Sequence, residues 1–283
     1  MKTNHKESSL LEVFRAPTRA RTVFERAIKR VALFGLLSFI SLAAIAQQTL
    51  QPVDTALVIA VDVSNSVDER RYRLQMNGIA KALEDPSVIG TILNGAQGAI
   101  LVSIVAWSDR PQIALEWMRI SSREEAFAVA ALVRALPRIT GEFTCLANML
   151  RYLNDKVLPT VPAPALRKVV DVSGDGKDNC NSRIATPEIR DELVGYRTII
   201  NGLPILEGSE ALTLENWYRD NVQGGPGSFI LAAESFEDFG RAIRQKFIVE
   251  ISGIDPHDGL RSLASVQPTN PGTPDRGSLR VRN

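Results

Sequence analysis

The chain is poor in histidine and cysteine, with two of each in 283 residues. His5 lies near the amino terminus and His257 in a carboxyl-terminal stretch rich in Pro, Gly, Ser and Arg. The long segment between them has no imidazole to act as a base, which counts against most hydrolase mechanisms. Charge of one sign is lacking as well. Lysine and arginine number 33 against 32 aspartates and glutamates; with residues 1–46 set aside the balance is 25 to 29, a net charge of −4. That balance gives no support to nucleic-acid or anionic-membrane binding. The glycine-rich turn Gly224-Gly225-Pro226-Gly227 contains a proline and lacks the lysine of a phosphate-binding loop. There is no internal repeat.

What is present begins with a polar, basic start (Arg15, Arg19, Arg21, Arg26, Lys29, Arg30) that leads into an apolar stretch from Val31 to Ile45. At about fifteen residues this stretch is short for a bilayer span and suits the core of a secretory signal. Ala44-Ile45-Ala46 supplies the small-x-small cleavage pattern. The expectation is a signal peptide over residues 1–46, a short linker over 47–53, and a periplasmic or secreted mature protein with no membrane segment. An uncleaved anchor is the alternative, and it also implies export.

The stretch that organises the rest is Ala56-Leu57-Val58-Ile59-Ala60-Val61, a continuous apolar run that stops at Asp62-Val63-Ser64-Asn65-Ser66. Such a run reads as a strand buried on both faces, the signature of a central strand in a parallel sheet. Strand patterns recur at 99–107, 112–118, 168–173, 198–203 and 228–233. Helical patterns fall after residue 66, at Phe127, Ala130, Ala131, Val133 and Leu136, at Leu146 to Val157, from Pro187 to about Arg197, at 214–221 and at 236–250. The short turn at Asp109-Arg110-Pro111 makes 112–118 an antiparallel hairpin partner. This alternation predicts a doubly wound α/β fold over residues 54–252, with a mostly parallel sheet, one antiparallel edge strand and helices on both faces. Residues 253–283 are expected to be a disordered tail.

Three strand ends or loops carry oxygen side chains: Asp62, Ser64 and Ser66 in the first, Thr144 in the second, Asp175 in the third. In open α/β sheets ligands bind beyond the carboxyl ends of the strands, and oxygen-only donors suit a hard cation. Each residue also has an ordinary reading. Ser66 with Glu69 fits a helix capping box, Thr144 a helix cap, and Asp175 a turn within Gly-Asp-Gly. Asp171 and Asp178 compete with Asp175 for the role of site carboxylate, although strand alternation would place Asp171 inside the sheet.

With these motifs in hand, the chain resembles a von Willebrand factor A-type domain with its metal-ion-dependent adhesion site, over about residues 54–252. It looks most like a bacterial group of exported A-domain proteins of unknown function. Asp62-x-Ser64-x-Ser66 is intact, Thr144 stands before its helix, and Asp175-Gly176 matches the aspartate-glycine after the fourth strand. Gly174 occupies a position where many members carry threonine. The resemblance implies Mg²⁺ or Mn²⁺, with Ca²⁺ a further candidate, bound by Ser64 and Ser66 with Thr144, Asp62 and Asp175 contributing directly or through waters. It further implies a non-enzymatic, adhesion-type module that captures an Asp or Glu of a partner protein. The rivals are a metal-dependent hydrolase of phosphate esters and a structural domain whose site is never filled. Cys145 and Cys180 each follow a residue of the site, so a disulfide between the two loops is expected; two free buried thiols are the alternative.

Overall fold

The computed structural model describes residues 51–180 and 183–265. The expected signal peptide, and the tail beyond 265, lie outside the described residues. None of the described helices is long and apolar enough to cross a membrane.

Five strands form one sheet: β1 (Val53–Asp62), β2 (Ile100–Trp107), β3 (Gln112–Ile120), β4 (Ala165–Gly174) and β5 (Thr198–Pro204). Their order is β3-β2-β1-β4-β5, so the apolar run that opens the fold lies in the centre. β1 pairs in parallel with β2 and β4, β4 pairs in parallel with β5, and β3 runs antiparallel along the outside of β2. All ten residues of β1 are buried. That is why no polar alternation is visible there: each face of the strand meets a helical layer.

One layer consists of α1 (Glu69–Glu84), α2 (Pro86–Leu93), α3 (Arg123–Ala135) and α7 (Phe239–Ser252), packed on Leu57, Ile59 and Val61 of β1 and on Val102 and Ile104 of β2. The other consists of α4 (Leu146–Tyr152), α5 (Thr186–Gly195) and α6 (Ala211–Asn221), packed on Val58 and Ala60, on Val170 and Val172 of β4, and on Ile200 of β5. A π-helical turn at Leu153–Val157 continues α4. The doubly wound sheet with a single antiparallel edge strand is therefore as the sequence predicts.

Three expectations differ from the structure. Residues 228–233 do not form a strand: they run beside β5 with isolated bridges at Gly202 to Ile230 and Ile205 to Ala233, and the Asn201 side chain intervenes by accepting from the Phe229 amide. The tail expected to be disordered from 253 begins with a helix, α8 (Pro256–Ser265), in which Gly259 lies against Val249 of α7. On α3 the packed residues are Ala126, Val129, Ala130 and Val133, whereas Phe127 and Ala131 face outward. The Arg123 guanidinium lies over the Phe127 ring, 5.1 Å from its centre.

A buried ionic cluster ties α7 to the sheet. Lys246 lies 3.1 Å from Glu250 and 3.4 Å from Asp171 of β4, all three fully or almost fully buried. Asn201 donates to Glu250, and the Lys246 ammonium lies 4.2 Å from the Phe229 ring centre. Burial raises the pKa of Asp171 and Glu250 above their ordinary values, and Lys246 opposes the rise in each. Asp171 is thus a structural residue of the sheet, as strand alternation anticipates.

Candidate metal site

The site forms where β1 ends and the chain turns into α1. Asp62 is fully buried, and its Oδ1 accepts from the Ser64 backbone amide at 2.8 Å, which folds the turn back on the strand end. Ser64 Oγ lies 3.2 Å from Ser66 Oγ, and Ser66 Oγ donates to Asp175 Oδ1 at 2.7 Å. Residues 109 positions apart are therefore joined through one serine hydroxyl. The capping box does not form: α1 is capped by Asp68, which accepts from the Arg71 amide at 2.8 Å, and Glu69 pairs with Arg73 instead. Ser66 is left to the site.

Thr144 joins from the loop before α4. A Cβ on Gly176 would lie 3.5 Å from both Thr144 Oγ1 and Glu210 Oε2, so the threonine, the Asp175-Gly176 turn and the loop before α6 converge there. Thr144 does not cap α4. Asp178 does that work, accepting from the Ala147 amide at 2.7 Å and from Cys180 N at 3.0 Å. Asp178 thus stabilises the helix start, and of the three competing aspartates only Asp175 contacts a serine of the motif. Asn179 exchanges hydrogen bonds with the Thr144 backbone, and the Cys145–Cys180 disulfide pins the same loops with Cα atoms 5.0 Å apart.

The electrostatics are those of a site short of positive charge. Burial, then the charge of Asp175, pushes the Asp62 carboxyl up to about 7, against hydrogen bonds from Ser64 and the Asp175 amide. Burial also raises Asp175, while the Ser66 hydroxyl and Arg71 hold it down. Asp62 Oδ2 is buried with no hydrogen-bond partner. An orphaned anionic oxygen in a cluster of neutral hydroxyls is the donor set that a hard divalent cation completes. Among the described residues there is no group of three or more His, Cys, Asp or Glu spaced to hold a metal, so any such ion draws on hydroxyls and water besides the two carboxylates.

Two neighbours escaped the sequence reading. Arg71 donates to Ser66 O and to Glu207, both at 2.6 Å, and so places a fixed positive charge beside Asp175. Tyr218 of α6 is fully buried, its hydroxyl unpartnered, and Asp62 and Asp175 push its pKa up further than burial alone. The one sequence signal for Tyr218 is Gly174, where a missing side chain leaves room for another group.

Solved structures with this fold include proximal thread matrix protein 1 from the mussel byssus with a zinc-occupied metal-ion-dependent adhesion site motif. It is 15% identical, with a TM-score of 0.53 over 72% of this chain and 49% of that one. A second structure of the mussel protein gives 13% identity and a TM-score of 0.54, over 72% and 48% of the two chains. A von Willebrand factor type A structure from Catenulispora acidiphila gives 16% and 0.50, over 70% and 43%. The chain thus spans about half the length of the structures it matches, and at these identities the likeness establishes a von Willebrand A-like fold. No match was found among curated proteins. Residues 52–255 match the family described as Protein of unknown function (DUF1194), and the chain belongs to that family.

Proposed function

We propose that the domain is a divalent-cation-dependent protein-binding module, exported by its amino-terminal segment, that captures a carboxylate of a partner protein. The observation that carries this reading is the buried, unpartnered Asp62 Oδ2 at the end of a hydroxyl chain running through Ser64 and Ser66 to Asp175. Ser64 and Ser66 would hold Mg²⁺ or Mn²⁺ through their hydroxyls, with Asp62, Thr144 and Asp175 acting directly or through waters. The bound cation would supply positive charge that neutral ligands leave uncancelled, and so attract an Asp or Glu from outside. The chain's own part is to keep the ligands in place: the Ser64 amide holds Asp62, Arg71 fixes the Ser66 carbonyl, and the disulfide holds the Thr144 loop against the Asp175 loop. The mussel protein's zinc-occupied motif supports a divalent ion in this fold.

The test is a pull-down of envelope proteins on the purified protein in Mn²⁺ and in EDTA, beside a calorimetric Mn²⁺ titration. Partner capture that needs the metal and is lost in Ser66→Ala supports the reading. A partner bound equally well in EDTA and by Ser66→Ala overturns it.

A further inference from the structure

Two oxygens at the site share one unusual circumstance. Asp62 Oδ2 and the Tyr218 hydroxyl are both buried and both without a hydrogen-bond partner. They flank a single point: a Cβ on Gly174 would lie 2.7 Å from Tyr218 Oη and 2.8 Å from Asp62 Oδ2. The ring has been given room in the same way. A Cβ on Gly202 would lie 2.8 Å from Tyr218 Cδ1. Gly202 pairs with Val172 in the β4–β5 ladder, and Gly174 is two residues further along β4. The tyrosine therefore crosses the sheet from β5 over β4 towards the end of β1, over two strand positions that carry no side chain. Glycine within a strand weakens it, and a buried orphan hydroxyl costs stability, so this arrangement opposes the fold at three places. Its return is a hydroxyl directed at the one site carboxylate oxygen that nothing else satisfies.

We infer that Tyr218 is a positioning residue of the metal site: when a cation draws the Asp62 carboxylate into place, the Tyr218 hydroxyl donates to it across Gly174 and holds Asp62 towards the cation. The inference rests on the metal-site reading above. It assigns to a residue of α6, far in sequence from every motif position, the task of orienting the first ligand of the D-x-S-x-S turn.

The experiment is Tyr218→Phe, which removes one oxygen and keeps the ring between the two glycines. Calorimetric titration with Mn²⁺ is expected to find affinity reduced about ten- to a hundredfold, the range of a lost outer-shell hydrogen bond. The thermal midpoint of the metal-free protein should stay the same or rise, because no hydrogen bond within the apo fold is lost. A purely structural tyrosine would give the opposite pattern, a lower midpoint with unchanged affinity, and that result overturns the inference. So does wild-type affinity in Tyr218→Phe. As a measurement that needs no variant, Mg²⁺ titration of wild-type protein carrying ¹³C-labelled tyrosine should move the Tyr218 Cζ resonance with the midpoint of metal binding; no movement overturns the inference. Wild-type protein that takes up neither ion removes the metal reading and this inference with it, an outcome distinct from a defect confined to the variant.

Discussion

At the scale of single residues, the site is a competition between the burial of Asp62 and the hydrogen bonds that favour its charge, and burial wins. Its carboxyl is raised from 3.8 to about 7. An acid whose folded pKa lies above its unfolded value stabilises the fold when protonated. The metal-free domain should hold its full contribution below about pH 4 and lose it as pH rises through about 7, on the order of 4 kcal/mol in all. Urea midpoints measured in EDTA across that window should fall, and Asp62→Asn should flatten the fall; because Asp171 and Glu250 also titrate upward, the informative quantity is the difference between the two proteins. An identical slope in both would mean Asp62 is not the group responsible. Ser66→Ala should act differently. It removes a hydrogen bond to Asp175 but no helix cap, so unfolding free energy should change by no more than about 1.5 kcal/mol while Mn²⁺ affinity drops. Asp62, Ser64 and Ser66 were legible in the sequence because a buried apolar run stops at three closely spaced oxygen side chains, which the turn after β1 gathers through the Ser64 amide. Tyr218 was not: its partners are 44 and 156 positions away, and a lone tyrosine at helical spacing reads as core.

At the scale of elements, what holds the second helical layer's counterpart in place is partly ionic. Lys246 of α7 faces Asp171 and Glu250 with no access to water. Lys246→Met should cost about 3–5 kcal/mol, because it leaves two acids buried without their cation, whereas a triple replacement by apolar residues of similar size should recover much of the loss. Equilibrium unfolding of the two variants checks this, and equal losses would mean that packing at these positions matters more than charge. The long strands were readable because buried runs such as Leu57 to Val61 leave little ambiguity. Residues 228–233 misled because a segment at the sheet edge can have strand-like composition and still pair incompletely: the Leu231 and Ala233 amides reach the carbonyls of Gly202 and Pro204, but the Phe229 amide goes to the Asn201 side chain. The helix α8 was missed because ten residues containing Gly259 and an internal Asp258 carry little propensity of their own; contact with α7 supplies the rest.

At the scale of the whole molecule, the disulfide joins loops that belong to different parts of the sheet. It closes a sequence separation of 35 residues, which chain entropy values at about 3–4 kcal/mol. Reduction, or Cys145→Ser with Cys180→Ser, should lower the unfolding free energy by that order and weaken Mn²⁺ binding in the same protein, since Thr144 and Asp175 stand on the two bridged loops. Loss of stability with unchanged metal affinity would mean that the loops hold their positions unaided. The fold class was visible from alternation alone, and the bridge was legible because Cys145 and Cys180 each follow a residue of the candidate site, which the strand order then brings to one edge of the sheet.

The uneven run beside β5 has a consequence for crowded surroundings. An open sheet normally ends in a row of backbone groups that a neighbouring copy can copy and extend. Here one margin is occupied by the chain itself at scattered points, Gly224, Ile230 and Ala233, which breaks the row into pieces. The other margin, β3, shifts register twice against β2 and presents Glu116 and Arg119 along its length. Neither margin offers a continuous template, so two copies pressed together would meet through side chains and not by zipping backbone to backbone. Interrupted margins of this kind disfavour growth of one copy's sheet into another's.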